Sequence, residues 1–240
     1  MTEDFRSVEA LVFDMFGTVV DWRESVAADI SSFLSVHLPG VDPREFADAW
    51  RAEYQPSMAR VRRGDRPFVR LDVLHRENLD TVLDGFGFDP ASVPAHLLDE
   101  VNLAWHRLDP WPDAVAGLTR LKDRFIVAPL SNANVRLALD VAKRARLPWD
   151  AILGAEVAGA YKPDPAAYLN TADVLGLEPS QVAMVAAHNG DLEAAGKLGL
   201  RTVFVRRPTE HGPGQTSDLE PSGPWDIVAE DFVDLADQIG

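Results

Sequence analysis

Asp14, the Ser131-Asn132 pair, Lys162 and Asp191 are the residues of this chain whose types could work together in one reaction. A carboxylate can serve as nucleophile or base if a cation beside it keeps it ionised, and a lysine supplies that cation. A hydroxyl and a side-chain amide can hold an anionic substrate group. A second carboxylate can hold the lysine in place or help a water attack a later intermediate. Taken singly, each has an ordinary structural reading: Asp14 and Asp191 as turn or cap residues, Ser131-Asn132 as a helix cap, Lys162 as a solvated side chain. What sets them apart is where the surrounding elements would put them.

Leu11-Val12-Phe13 is a short apolar run of β-branched and aromatic type, suited to a strand buried on both faces. Residues 8–14 therefore predict a first strand, and Gly17-Thr18 allow a sharp turn beyond Asp14. Further strands are predicted over 125–130, ahead of Ser131-Asn132, and over 151–154, ahead of Lys162. Two more fall at 182–186, ahead of Asp191, and at 202–205, before a Pro/Gly-rich tail. Helical patterns lie between them, one opened by Lys162-Pro163-Asp164-Pro165 with proline near its first turn. Strands alternating with helices predict an α/β fold with a doubly wound parallel, Rossmann-like sheet. In such a sheet the C-terminal strand ends share one edge, so all four polar positions converge on one crevice.

Residues 22–108 carry no strand signal. Helices are predicted from Trp22 onward and from Asp42-Pro43, the second with Phe46, Trp50 and Tyr54 on one face and Pro56 interrupting it or kinking its end. Two more are predicted over 68–84 and 91–106. The block reads as an all-helical cap over 21–108, inserted into a core made of 1–20 and 109–240. The chain has 240 residues, 46% of them hydrophobic and 25% charged, values usual for a globular protein. A net charge of −15, with no basic patch beyond Arg60, Arg62, Arg63 and Arg66, argues against nucleic-acid binding. No apolar run approaches membrane-span length and the N-terminus does not read as a signal peptide, so a cytoplasmic protein without membrane contact is expected. With no Cys there is neither a thiol nucleophile nor a thiolate metal site.

Asp14-Met15-Phe16-Gly17-Thr18, Ser131-Asn132, Lys162-Pro163-Asp164 and the Asp191 segment resemble, in order, the four motifs of the haloacid dehalogenase superfamily. The helical block sits where that superfamily inserts its cap. Most of its members are magnesium-dependent phosphatases, with a second Asp two residues after the nucleophile and a pair of acids in the fourth motif. Here those positions are Phe16 and Ala187, which leaves no general acid and few oxygen ligands for a hard cation. An aromatic residue followed by Gly-Thr is instead similar to the L-2-haloacid dehalogenase (type II) branch, which works without metal or other cofactor.

That resemblance implies the following roles. Asp14 is the nucleophile and Thr18 orients it. Ser131, Lys162 and the backbone amides after Asp14, at Met15 and Phe16, hold the substrate carboxylate. Arg51, in a Trp50-Arg51 pair, and Asn132 receive the halide. Tyr168 matches an active-site tyrosine, and Trp22 with Phe16 would wall the pocket. Asp191, Lys162 and His188 are candidates for positioning the second-step water. Ala186-Ala187-His188 replaces the Ser-Ser-Asn frequent in the branch, and Ala133 a frequent Gly. Trp105 and Trp111 read as core or hinge packing, and His106 and Arg107 as structural rather than catalytic. The expected reaction is hydrolysis of short 2-haloalkanoic acids to 2-hydroxy acids through an aspartyl ester, and the branch's habits allow a homodimer. A magnesium-dependent small-molecule phosphatase and a non-catalytic carboxylate-binding relative are the alternatives.

Overall fold

The computed structural model describes residues 3–240. In chain order the core opens with β1 (Ala10–Phe13) and β2 (Val20–Asp21). The helical block follows: α1 (Trp22–His37), α2 (Pro43–Ala52), α3 (Tyr54–Arg62), α4 (Leu71–Gly85) and α5 (Ala95–Asn102), then a 3-10 turn, Leu103–His106. The chain returns through β3 (Asp109–Pro110), α6 (Ala114–Lys122), β4 (Ile126–Pro129), α7 (Val135–Ala145), α8 (Ala155–Ala158) and α9 (Pro165–Leu175). It finishes with β5 (Val182–Ala186), α10 (Asn189–Lys197), β6 (Arg201–Val205), β7 (Ile227–Ala229) and α11 (Phe232–Ile239).

Five strands form one parallel sheet in the order β4-β1-β5-β6-β7. All four residues of β1 are buried, because a central strand is covered on both faces. Alternate residues serve different cores, as period-2 geometry requires. Leu11 and Phe13 join Leu118 of α6 and Phe232 of α11, while Ala10 and Val12 join Tyr168 of α9 and Leu192 of α10. The doubly wound α/β fold expected from the strand–helix alternation is thus present.

Several local expectations differ from the structure. The segment 151–154 is not a strand. Asp150 turns its carboxylate onto the Val127 amide of edge strand β4, taking the donor that a further strand would need. Lys162 therefore comes from the loop between α8 and α9, just before a cis Lys162-Pro163 bond, and not from a strand end. The tail is not only loop: it adds β7 and α11, whose Phe232, Leu235, Ala236 and Ile239 form one buried stripe at helical spacing. Within the helical block, α2 ends at Ala52 and α3 begins at Tyr54. Pro56 lies in the first turn of α3, where its missing N–H is no loss, so the break comes before it. The two chain crossings between sheet and helical block pair with each other, Val20 with Pro110 and Asp21 with Asp109, in an antiparallel ribbon that two-residue strands hid from sequence reading.

Candidate active site

The turn after β1 sets the site. Asp14 is the first residue beyond the strand, its amide still bound to Val185 O of β5. Gly17 takes φ +87°, and a Cβ there would stand 2.0 Å from Glu210 Oε1, so both backbone angle and space call for glycine. Trp111 Nε1 donates to Gly17 O and Arg207 Nε to Thr18 O, fixing the turn from two other elements. Thr18 folds back: its hydroxyl donates to Asp14 Oδ2 at 2.9 Å and accepts from the Ala187 amide beyond β5.

Lys162 is brought to Asp14 by its backbone as well as its side chain. Its N–H donates to Asn132 Oδ1 (2.8 Å), and its carbonyl accepts from Arg62 of α3 (3.0 Å). Its Nζ lies 2.9 Å from Asp14 Oδ1 and also donates to Asp191 Oδ2, while Tyr168 Oη donates to Asp191 Oδ1 at 2.6 Å. Asp191 stands in the first turn of α10, where the helix dipole also favours a carboxylate. Burial alone would raise the Asp14 carboxyl, but the Lys162 ammonium and the His188 contact outweigh it and hold it well below the usual carboxylate range. Lys162 is shifted the opposite way, upward: burial would lower it, but the two carboxylates outweigh that desolvation.

A third group reaches Asp14. His188, just before α10, places Nδ1 3.1 Å from Asp14 Oδ2 and Nε2 2.8 Å from Glu210 Oε2. With a carboxylate at each nitrogen both must carry protons, and although burial opposes the charge, Glu210 and Asp14 raise the imidazole well above its ordinary value. Glu210 itself is 1% exposed and accepts from Trp22 Nε1 at 3.0 Å. Sequence reading missed Glu210, since it lies in the irregular tail with no periodic or motif signal.

Arg51 comes from the last turn of α2. The one-residue break before α3 lets its guanidinium lie 4.0 Å over the Tyr54 ring, with Trp22 and Phe16 rings 5.4 and 5.7 Å away. Its Nη1 is buried with no hydrogen-bond partner among the described residues. Tyr54 also meets the Asn132 side chain, which links the β4 end to the helical block. One cavity of about 810 Å³ is lined by Asp14, Trp22, Arg51, Asn132, Lys162, Tyr168, His188 and Asp191, together with Tyr54, Arg62 and Glu210. Thr18 stands one contact behind it. Met15 and Phe16 are buried, Phe16 as an aromatic wall edge-on to Tyr54. Ser131 does not line the cavity, and its Oγ accepts from the Ala133 amide.

An aspartate at the end of a central parallel strand, a lysine on it and a helical block closing the crevice define a class of α/β hydrolytic sites. The chain belongs to the haloacid dehalogenase-like hydrolases, which it matches over residues 8–199. It is 30% identical to (S)-2-haloacid dehalogenase 4A of Burkholderia cepacia, across 96% of this chain and 99% of that protein. The crystal structure of a defluorinating L-2-haloacid dehalogenase is 56% identical, with a TM-score of 0.94 over 96% of this chain and 94% of the other. A second L-2-haloacid dehalogenase structure is 44% identical, with a TM-score of 0.91 over 96% and 98% of the two chains.

Proposed function

We propose that this protein is a hydrolytic dehalogenase of short 2-haloalkanoic acids, acting through an ester on Asp14. The observation that carries the reading is Asp14, held ionised by Lys162 and His188, sharing one cavity with Arg51, whose Nη1 has no hydrogen-bond partner among the described residues. The kinship with (S)- and L-2-haloacid dehalogenases supports it. A ring at Phe16 and a methyl at Ala187 stand where magnesium phosphatases keep acids, which disfavours the phosphatase alternative. The charged groups gathered on Asp14 disfavour a site that only binds.

In the first step one Asp14 oxygen attacks the carbon bearing halogen, the C–X bond breaks and halide leaves with the electron pair, inverting that carbon. Oδ1 is the better placed atom: it accepts from Lys162, whereas Oδ2 accepts from both Thr18 and His188. Arg51 stabilises the developing halide, and Asn132 acts from the core side. In the second step water adds to Cγ of the ester, and negative charge develops on Oδ2. The Thr18 hydroxyl and the His188 N–H already point at that atom, so they stabilise the oxyanion. Asp191, held by Lys162 and Tyr168, is the base best supported for that water. Collapse breaks the Cγ–Oδ1 bond, and the proton taken by Asp191 passes to the departing oxygen. The 2-hydroxy acid leaves while Asp14, now carrying the water's oxygen, gives its remaining proton to solvent and returns to the carboxylate.

The helical block, 21–108, acts as the cap of a core made of 1–20 and 109–240, and its closure excludes bulk water. The 56% identity to a defluorinating enzyme supports fluoroacetate as a substrate beside chloro- and bromo-acids. A cytoplasmic location and a homodimer complete the reading, resting on composition and on the habit of the branch. Halide release from chloro-, bromo- and fluoroacetate in the presence of a metal chelator is the direct test. Release unaffected by chelator is expected; no halide from any 2-haloacid would sink the reading.

A further inference from the structure

The turn that carries His188 and Asp191 is held by the tail of the chain. His188 is the residue at the N-terminal end of α10, a place where Ser, Thr, Asp or Asn usually takes up the first free amides. Its ring is committed to Asp14 and Glu210 and gives the helix no such bond. Asp218 does this from outside: its Oδ1 accepts from the Asn189 backbone N–H at 2.8 Å and from Asn189 Nδ2 at 2.9 Å. Asp218 sits at φ +55°, a left-handed conformation that Asp adopts more readily than most residues. A carboxylate there also suits the positive end of the helix.

The Asn189 side chain is used to capacity. Its Nδ2 also donates to Glu220 O at 3.0 Å, while Oδ1 accepts from the Ser222 N–H at 2.8 Å and from Trp225 Nε1 at 2.9 Å. An amide has two N–H donors and an oxygen with two lone pairs, so nothing is left over. The far end of this network is the sheet: Asp226, next to Trp225, accepts from the backbone N–H and the hydroxyl of Thr202 in β6 at 2.8 and 2.9 Å. Packing adds little at the turn itself. A Cβ on Gly190 would meet nothing within 4 Å. Gly190 borders the active-site cavity and also a second cavity, of about 950 Å³, that Asn189 and Trp225 line. With space around the turn, the hydrogen bonds of Asn189 are what fix it.

We propose that Asn189, held by Asp218, is a positioning residue for the second half of the reaction, aligning His188 and Asp191 on the Asp14 ester. The inference rests on the dehalogenase reading and deepens it. It separates the two steps, because their groups stand on different elements. His188, which donates to the oxyanion, and Asp191, the base for water, flank Asn189 in one helical turn. Lys162 and Tyr168 grip the Asp191 carboxylate, and Asn189 fixes its backbone. The groups of the first step are held elsewhere: Asp14 after β1 by the Val185 carbonyl, Arg51 on α2, and Lys162 in the loop before α9. Lys162 also does more than His188 to keep Asp14 ionised, so a displaced His188 leaves the nucleophile charged.

The test is a single turnover of 2-chloropropionate with enzyme in excess, quenched at intervals. Halide release gives the rate of ester formation, and mass spectrometry of the Asp14 peptide gives the rate of ester loss. Asn189→Ala and Asp218→Ala are each expected to slow ester loss about tenfold, the equivalent of one hydrogen bond, and to leave halide release within about threefold of wild type. Asp218→Asn keeps an acceptor for the Asn189 N–H and should hold ester loss near the wild-type rate. Equal slowing of both steps, slowing of halide release alone, or no change in either would overturn the positioning role and leave the dehalogenase reading intact. Asp218 lies in an irregular segment, so Asp218→Ala judges the proposal should Asn189→Ala not fold. No halide from wild type would instead sink the dehalogenase reading, and this role falls with it.

Discussion

Lys162 touches two carboxylates at once, and that single contact decides the charge of the site. It holds Asp14 ionised where burial would otherwise protonate it. Lys162→Met is expected to lower halide release by roughly 10²-fold or more and to move the acid limb of kcat/KM to higher pH, since Asp14 then binds its proton more readily. Steady-state pH profiles of the two proteins check this; an unmoved limb would mean that Asp14 needs no cation. His188 carries the opposite sign. It works as an imidazolium, so ester hydrolysis should fade as pH rises through its raised pKa. Glu210→Gln, by removing one anionic partner, should bring that fading to lower pH. Rapid-quench detection of the Asp14 ester by mass spectrometry reads it, and ester that accumulates at low pH instead would make His188 a base. Asp14, Lys162, Asp191 and Arg51 were legible because motif spacing carries them. Glu210 was not, because a buried carboxylate on an irregular tail declares itself only through what folds around it.

Between elements, the helical block is tied to the core by a charged clip. His106 at the end of the 3-10 turn gives Nε2 to Asp72 of α4 at 3.0 Å and Nδ1 to Asp140 of α7 at 2.9 Å. Asp72 also accepts from Asn134, the residue before α7. Burial opposes its charge, but the two carboxylates raise His106 above its ordinary value, and they are themselves lowered. The histidine contribution is therefore full below its unfolded pKa of about 6.5 and is lost as pH rises through the folded one. The carboxylate contribution runs the other way, present above about 3.9 and lost as pH falls. His106→Asn should cost about 1–3 kcal/mol of stability near pH 6, and the difference should shrink in alkaline solution. Thermal melts across pH check it; a pH-independent loss would leave packing alone. The sequence reads His106 as structural, but its pairing with Asp72 and Asp140 across elements is invisible to a linear pattern. The same limit hid the β2–β3 ribbon and put a strand at 151–154, where the single residue Asp150 closes β4, its carboxylate on the Val127 amide and its own N–H on the Val127 carbonyl.

The molecule as a whole repels its own substrate. At a net charge of −15 the long-range field opposes a carboxylate, and the cations that would attract it, Arg51, Arg62, Lys162 and His188, line the cavity itself. With a non-halide salt such as sodium sulfate, kcat/KM should rise by less than about tenfold between low and physiological ionic strength, as the field is screened. A fall would place a cationic steering surface at the entrance. Fold class and the run of helices between β2 and β3 were readable at this scale because strand–helix alternation and an uninterrupted helical pattern are long signals. Strand β7 was too short to register, and α11 was masked by the Pro/Gly-rich stretch before it.

Nucleophilic attack by Asp14 is the claim on which every role above depends. A single turnover in ¹⁸O-water, with enzyme in excess over a 2-haloacid, separates it from direct attack by water. The account predicts ¹⁸O in the peptide containing Asp14 and an unlabelled 2-hydroxy acid. Label in the product with none in Asp14 would contradict it.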